Sequence, residues 1–125
     1  MRIIIAPLVI LVALFLYPSV QAQQRKEADY ADIWCAERSG TRFVLPDRTR
    51  VDCLTKTHAV EVDYARKWFE AVGQSLHYAR MTKRRAGILL LIRRGNKPDE
   101  RKVEALRKLI EHYRLAINLF LLNIR

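Results

Sequence analysis

Apolar residues follow three rhythms along this chain. From Ile3 to Tyr17 they run almost unbroken, from Thr41 to Tyr64 they alternate with polar ones, and beyond Tyr64 they recur mostly at helical spacing. Within Glu27 to Arg38, Tyr30, Ile33 and Trp34 fall at helical spacing and Gly40 supplies a stop, which predicts a short helix after a polar linker, Gln23 to Lys26. Thr41 to Leu45, Arg50 to Thr55 and His58 to Tyr64 read as three strands of an antiparallel meander. Pro46-Asp47-Arg48-Thr49 and Lys56-Thr57 are the turns between them. Tyr64 to Met81 predicts a helix whose Trp68, Ala71, Val72, Ser75, Leu76 and Ala79 form a buried stripe. Ile88 to Ile92 is wholly apolar after Gly87, the pattern of a central strand covered on both faces. Pro98-Asp99-Glu100 opens another helix, with proline in the first turn and acids near the positive dipole end. Val103, Leu106, Leu109, Ile110 and Tyr113 are its apolar face. Leu115 to Ile124 reads as a last strand, with a continued helix as the alternative because no Gly or Pro separates the two. The order α-β-β-β-α-β-α-β describes an α/β (α+β) domain, a mixed sheet with helices on both faces.

The run that follows Arg2 has the form of a cleavable signal peptide, residues 1–22. Pro18 ends it, and Val20-Gln21-Ala22 offers small residues at the spacing for cleavage after Ala22. It is shorter than the ~20 apolar residues that span a bilayer comfortably, so an uncleaved anchor is the alternative. The mature chain would then be a single secreted or periplasmic domain over residues 27–125.

Composition adds a class of partner. The chain carries 23 Lys+Arg against 13 Asp+Glu, a net charge of +10, and Arg2 is the only charged residue of the leader. A length of 125 residues excludes a multi-domain enzyme. Such basicity points to a polyanion: nucleic acid, anionic lipid or an acidic protein. Arg80, Lys83, Arg84 and Arg85 after the long helix, and Arg93, Arg94 and Lys97 after the apolar strand, lie in connections. They read as solvated loops, or as phosphate contacts in a nucleic-acid binder. Cys35 and Cys53, an even count in an oxidising compartment, favour a disulfide worth roughly 3 kcal/mol, with two separate buried thiols as the alternative. No CxxC or Cys/His cluster suggests zinc.

The acids that interrupt apolar patterns carry the candidate chemistry. Glu37 shares a stripe with Ile33 and Trp34, which places it on the inner face of the first helix. Asp52 stands mid-strand between Val51 and Cys53, and Glu61 mid-strand between Val60 and Val62. With a two-residue loop at Lys56-Thr57, Thr55 faces His58 and Asp52 faces Glu61, Cβ atoms about 4.5–5.5 Å apart. A one-residue change in loop length would separate them onto opposite faces. Two carboxylates so placed repel unless a divalent cation bridges them, and hard oxygen ligands suit magnesium. On the next helix Lys67 and Gln74, seven residues apart, lie nearly on one line that Tyr78 continues. A cation and an amide beside an acidic pair suit metal-assisted hydrolysis. The plainer readings are a solvated Glu37, an Asp52 paired with Arg42 or Arg50, a Glu61 and an Asp63 on a half-exposed strand, and Lys67 and Gln74 on a helix surface. His77, beside the Gln74 line, is the one histidine near this grouping.

The succession Glu37, Val51-Asp52-Cys53, Val60-Glu61-Val62-Asp63, Lys67-Trp68 and Gln74-Ser75-Leu76-His77-Tyr78 resembles the PD-(D/E)XK nuclease superfamily over Tyr30 to Ile92. The resemblance implies a restriction-endonuclease-like αβββαβ core with an extra helix and a last strand. It also implies Asp52 and Glu61 as magnesium ligands, Glu37 as an accessory acid and Gln74 near the scissile phosphate. Where the family pattern has a lysine, two residues after Glu61, this chain has Asp63. Some members carry that lysine on the following helix, where Lys67 is the first candidate and Arg66 a weaker one. The implied activity is metal-dependent phosphodiester hydrolysis. The alternatives are an inactive nuclease fold that binds nucleic acid or an acidic partner, and a small basic envelope interaction protein.

Overall fold

The structure, a computed structural model, describes residues 18–125. The apolar leader from Ile3 to Tyr17 lies outside the described residues. The first helix, α1, spans Pro18–Ala36, so the stretch 23–26 expected as a linker is helical in its backbone. It buries Ala31, Trp34 and Cys35, whereas Ile33, expected inward, is exposed. Ala31, Trp34 and Cys35 are spaced by three and four, and they take the inner stripe one position round from the one that Ile33 would define.

Five strands follow in the order expected: β1 Thr41–Val44, β2 Arg50–Leu54, β3 His58–Tyr64, β4 Arg85–Arg93 and β5 Ile117–Ile124. A 3-10 turn, Ala65–Lys67, leads from β3 into α2, Trp68–Thr82, and α3 spans Lys97–Tyr113. Along the sheet the strands lie in sequence order. β1, β2 and β3 are antiparallel neighbours, while β3–β4 and β4–β5 are parallel. Both crossovers step the same way along the sheet, so connections of one hand put α2 and α3 on one face. There Ala71, Val103 and Leu106 pack on Ile88, Leu90 and Ile92. α1 covers the other face, with Trp34 and Cys35 against Val60, Val62, Leu89 and Leu91. β4 is therefore enclosed on both faces, as its unbroken apolar run requires, and it is longer than the apolar run alone. The tail is the strand β5, parallel to β4. α3 starts on the Asn96 side chain, which accepts the Asp99 amide, and ends at Arg114 in the left-handed region. Among the described residues no helix is long and apolar enough to cross a membrane.

A disulfide joins Cys35 at the end of α1 to Cys53 in β2, with Cα atoms 5.5 Å apart. Between them Gly40 passes directly over the bond. A Cβ at that position would stand 2.7 Å from each sulfur and 3.1 Å from the Leu54 carbonyl oxygen. Gly40→Ala is therefore expected to destabilise the fold by about 1–3 kcal/mol, read as a lowered denaturant midpoint at unchanged slope. An unshifted midpoint would show that this segment moves aside at no cost.

Candidate active site

The two-residue loop at Lys56-Thr57 sets the expected register: the Thr55 amide donates to the His58 carbonyl, Leu54 pairs with Ala59 and Cys53 with Val60. Beyond that the strand is irregular. Against β1, Leu54 pairs with Thr41 and Val51 with Phe43, so β2 advances three residues while β1 advances two. The extra residue is a bulge at Asp52-Cys53, and bulges re-aim side chains. Asp52 now takes the place of a main-chain acceptor: its Oδ2 receives the Val62 amide at 2.9 Å. The ladder between β2 and β3 stops there, and a cleft of about 460 Å³ opens.

Asp52 and Glu61 both line this cleft, joined by Asp63 from β3, by Lys67 from the 3-10 turn and by Gln74 from the second turn of α2. Glu61 is 5 % exposed. Burial holds its carboxyl well above the usual range, and the Asp52 charge and a hydrogen bond between the two carboxyls push in the same direction. Gln74, with its amide nitrogen turned to the acceptors around it, donates to Glu61 Oε1 at 3.2 Å and to the Glu70 carbonyl at 3.3 Å. Tyr78 hydrogen-bonds Gln74, and its own phenol is raised by burial and by Glu61. Asp63 is pushed up to about 7, first by burial and then by Glu27. Lys67 Nζ stands 4.0 Å from Asp63 Oδ1. Sequence position puts Lys67 four residues beyond Asp63, and the 3-10 turn folds it back over the same end of β3.

These placements correct one sequence expectation and set two other groups outside the cleft. Glu37 is not in the cleft: it follows the end of α1, its side chain is 66 % exposed and it lies 3.6 Å from Arg38. The acid that α1 contributes is Glu27, raised by burial against the opposing pull of Lys67. The signal was present in the sequence, because Glu27 precedes Ala31 by four residues and Trp34 by seven, on the stripe that is buried. Arg80, Lys83, Arg84 and Arg85 do not reach the cleft either. Arg85 pairs with His58 at the start of β3, about 20 Å along the strand from Tyr64, and the Arg84 guanidinium donates to the Thr55 carbonyl. His77 is drawn away by Asp47, with Nε2 and Oδ2 2.6 Å apart. Two cations the sequence did not mark for phosphate are better placed. A second hollow of about 410 Å³ shares Glu27, Asp52, Val62 and Lys67 with the cleft and runs on to Arg42 and Arg50. Arg42 is held there by paired 2.9 Å bonds to Asp32.

Among the described residues no three His, Cys, Asp or Glu side chains form a ready-made metal cage. The donor set still fits a small hard cation. Asp52 and Glu61 present carboxyl oxygens to one cleft, and magnesium commonly takes one or two carboxylates while keeping several waters. No family model, curated protein or solved structure matches the chain.

Proposed function

We propose that this cleft hydrolyses phosphodiester bonds of nucleic acid with magnesium held by Asp52 and Glu61. The proposal includes the finer fold reading, a small exported PD-(D/E)XK domain whose lysine has moved to Lys67. The convergence of Asp52, Glu61, Lys67 and Gln74, drawn from two strands, a 3-10 turn and a helix into one cleft, carries it. Bound magnesium would polarise a phosphoryl oxygen and make a water nucleophilic near neutral pH. Lys67 meets the negative charge that grows on the phosphorane oxygens, and a preorganised cation of this kind is worth most where water is excluded. Gln74 holds Glu61 in a fixed rotamer. Arg42 and Arg50 bind phosphates away from the scissile one and position the strand without reading its sequence.

Asp63 at the family's lysine position favours the inactive, binding-only alternative, and one experiment separates the two. Supercoiled plasmid incubated with the purified protein and magnesium is expected to be nicked. Asp52→Asn should abolish nicking and Lys67→Met should slow it by about 10²–10³-fold. Salt-sensitive retention of DNA by the wild type with no magnesium-dependent nicking would leave the binding-only reading. Nicking that survives Asp52→Asn would place the chemistry elsewhere.

A further inference from the structure

One largely exposed aromatic side chain adjoins Glu70, a residue that lines the cleft. Phe69, in the first turn of α2, is 73 % exposed. One face of its ring stacks on Trp68, with centroids 4.0 Å apart and planes 23° from parallel. Residues 68, 69 and 70 succeed one another around the helix. The face turned away from Trp68 therefore looks back toward the side that carries Glu70 and Gln74, both of which line the cleft. Glu70 lies about 100° and Gln74 about 140° around the helix from Phe69, an arc of roughly 10–13 Å on a helix 10–12 Å across, or about two nucleotides of a bound strand.

An independent observation concerns Gly73. It lies inside α2, where glycine disfavours the helix relative to alanine. Neither of the usual reasons for glycine applies. Its φ is not in the left-handed region, and a Cβ built there would meet nothing within 4 Å. Helical side chains lean back over the preceding turn, so any large residue at 73 would cover Phe69. Glycine leaves that ring face bare.

We infer that Phe69, kept open by Gly73, is a stacking platform for an unpaired nucleobase about two nucleotides along the strand from the phosphate in the cleft. The substrate class is then nucleic acid with unstacked, single-stranded bases rather than an intact duplex. Stacking on an aromatic face is tolerant of sequence, because every base has a π-face, and it complements the phosphate contacts of Arg42 and Arg50. Trp68 stacks on one face of the ring and fixes its orientation.

This inference rests on the nucleic-acid reading of the cleft, and the test distinguishes failure of the two. Fluorescein-labelled oligothymidylate and a duplex of equal length are titrated into the wild type, Phe69→Ala, Gly73→Ala and Gly73→Leu with magnesium omitted. The wild type should prefer the single strand. Phe69→Ala should weaken single-strand binding roughly five- to a hundred-fold and leave duplex binding unchanged. Gly73→Ala is too short to cover the ring, so it should keep the affinity while Tm rises by roughly 4–8 °C. Gly73→Leu should also raise Tm yet lose single-strand affinity as Phe69→Ala does, a split that a merely structural glycine would not produce. If the wild type binds both nucleic acids and Phe69→Ala or Gly73→Leu leaves the preference intact, the platform is overturned and the cleft reading survives. If the wild type binds neither nucleic acid at low salt, both fall.

Discussion

Glu61→Gln is expected to make the protein more stable and inactive at once. Glu61 sits almost fully buried against the Asp52 carboxylate, and its charged form is opposed by burial, by Asp52 and by Asp63. A glutamine of the same shape removes that charge. Its amide can still accept from Gln74 and can donate to Asp52, so it keeps the hydrogen bond that the Glu61 carboxyl makes only when protonated and needs no proton uptake on folding. At neutral pH the gain should be about 1–3 kcal/mol, or a Tm higher by roughly 10 °C in a domain this small. The pH dependence gives the sign. The folded-state pKa of Glu61 is raised, so between the ordinary value of 4.5 and the folded value the native state holds a proton that the unfolded chain has lost. The stability contribution is fully present below about pH 4.5 and is lost as pH rises through that window. Asp63 adds a second decline between 3.8 and about 7. Urea denaturation at a series of pH values should therefore show the advantage of Glu61→Gln growing from pH 4 to pH 7. Equal stability of variant and wild type across that range would mean that the carboxylates do not oppose each other in the folded protein. The same variant should show no magnesium-dependent nicking, and magnesium should raise the Tm of the wild type but not of the variant, because only a site that binds the ion gains from it.

Loss of the Cys35–Cys53 bond is the other large effect. The bond closes a separation of 18 residues, for which chain entropy alone gives roughly 3 kcal/mol. Both cysteines are buried in the α1 face of the core, so the bond is also the packing between α1 and β2. Removing it frees the helix that supplies Glu27 and loosens the strand whose bulge aims Asp52. The Cys35→Ala, Cys53→Ala double variant is expected to lose about 3 kcal/mol and roughly 15 °C in Tm, with nicking impaired at temperatures where the fold is still intact. Reductant should reproduce the loss in the wild type and leave the double variant unaffected. A double variant as stable as the wild type would show that α1 is held by apolar contacts alone.

Much of this fold was legible in the chain because it rests on local rules. The alternation in His58 to Tyr64, the unbroken run around Ile88 to Ile92 and the proline-led start of α3 each respond to an element's own period and dipole. The two-residue hairpin at Lys56-Thr57 belongs with them, since loop length sets register. The failures came where one element's orientation depends on another. On α1 the periodicity allowed two stripes, and packing of Trp34 and Cys35 against β3 and β4, tied by the disulfide, chose the one that turns Glu27 inward and leaves Glu37 in water. The basic cluster from Arg80 to Arg85 is contiguous in sequence, but the parallel pairing of β4 with β3 carries it to the end of the sheet away from the cleft.

By itself, then, the sequence determined the order of elements up to the last helix and the presence of acids at Asp52 and Glu61 inside strands, and it favoured the last strand, the hairpin register and a bond between the two cysteines. Those follow from spacing and from the cost of a carboxylate among valines, which act along the chain. Only the tertiary structure decided which acids meet. The bulge at Asp52, the 3-10 turn that folds Lys67 back over Asp63 and the rotation of α1 are settled by contacts between elements far apart in sequence, to which no periodicity in a single segment responds.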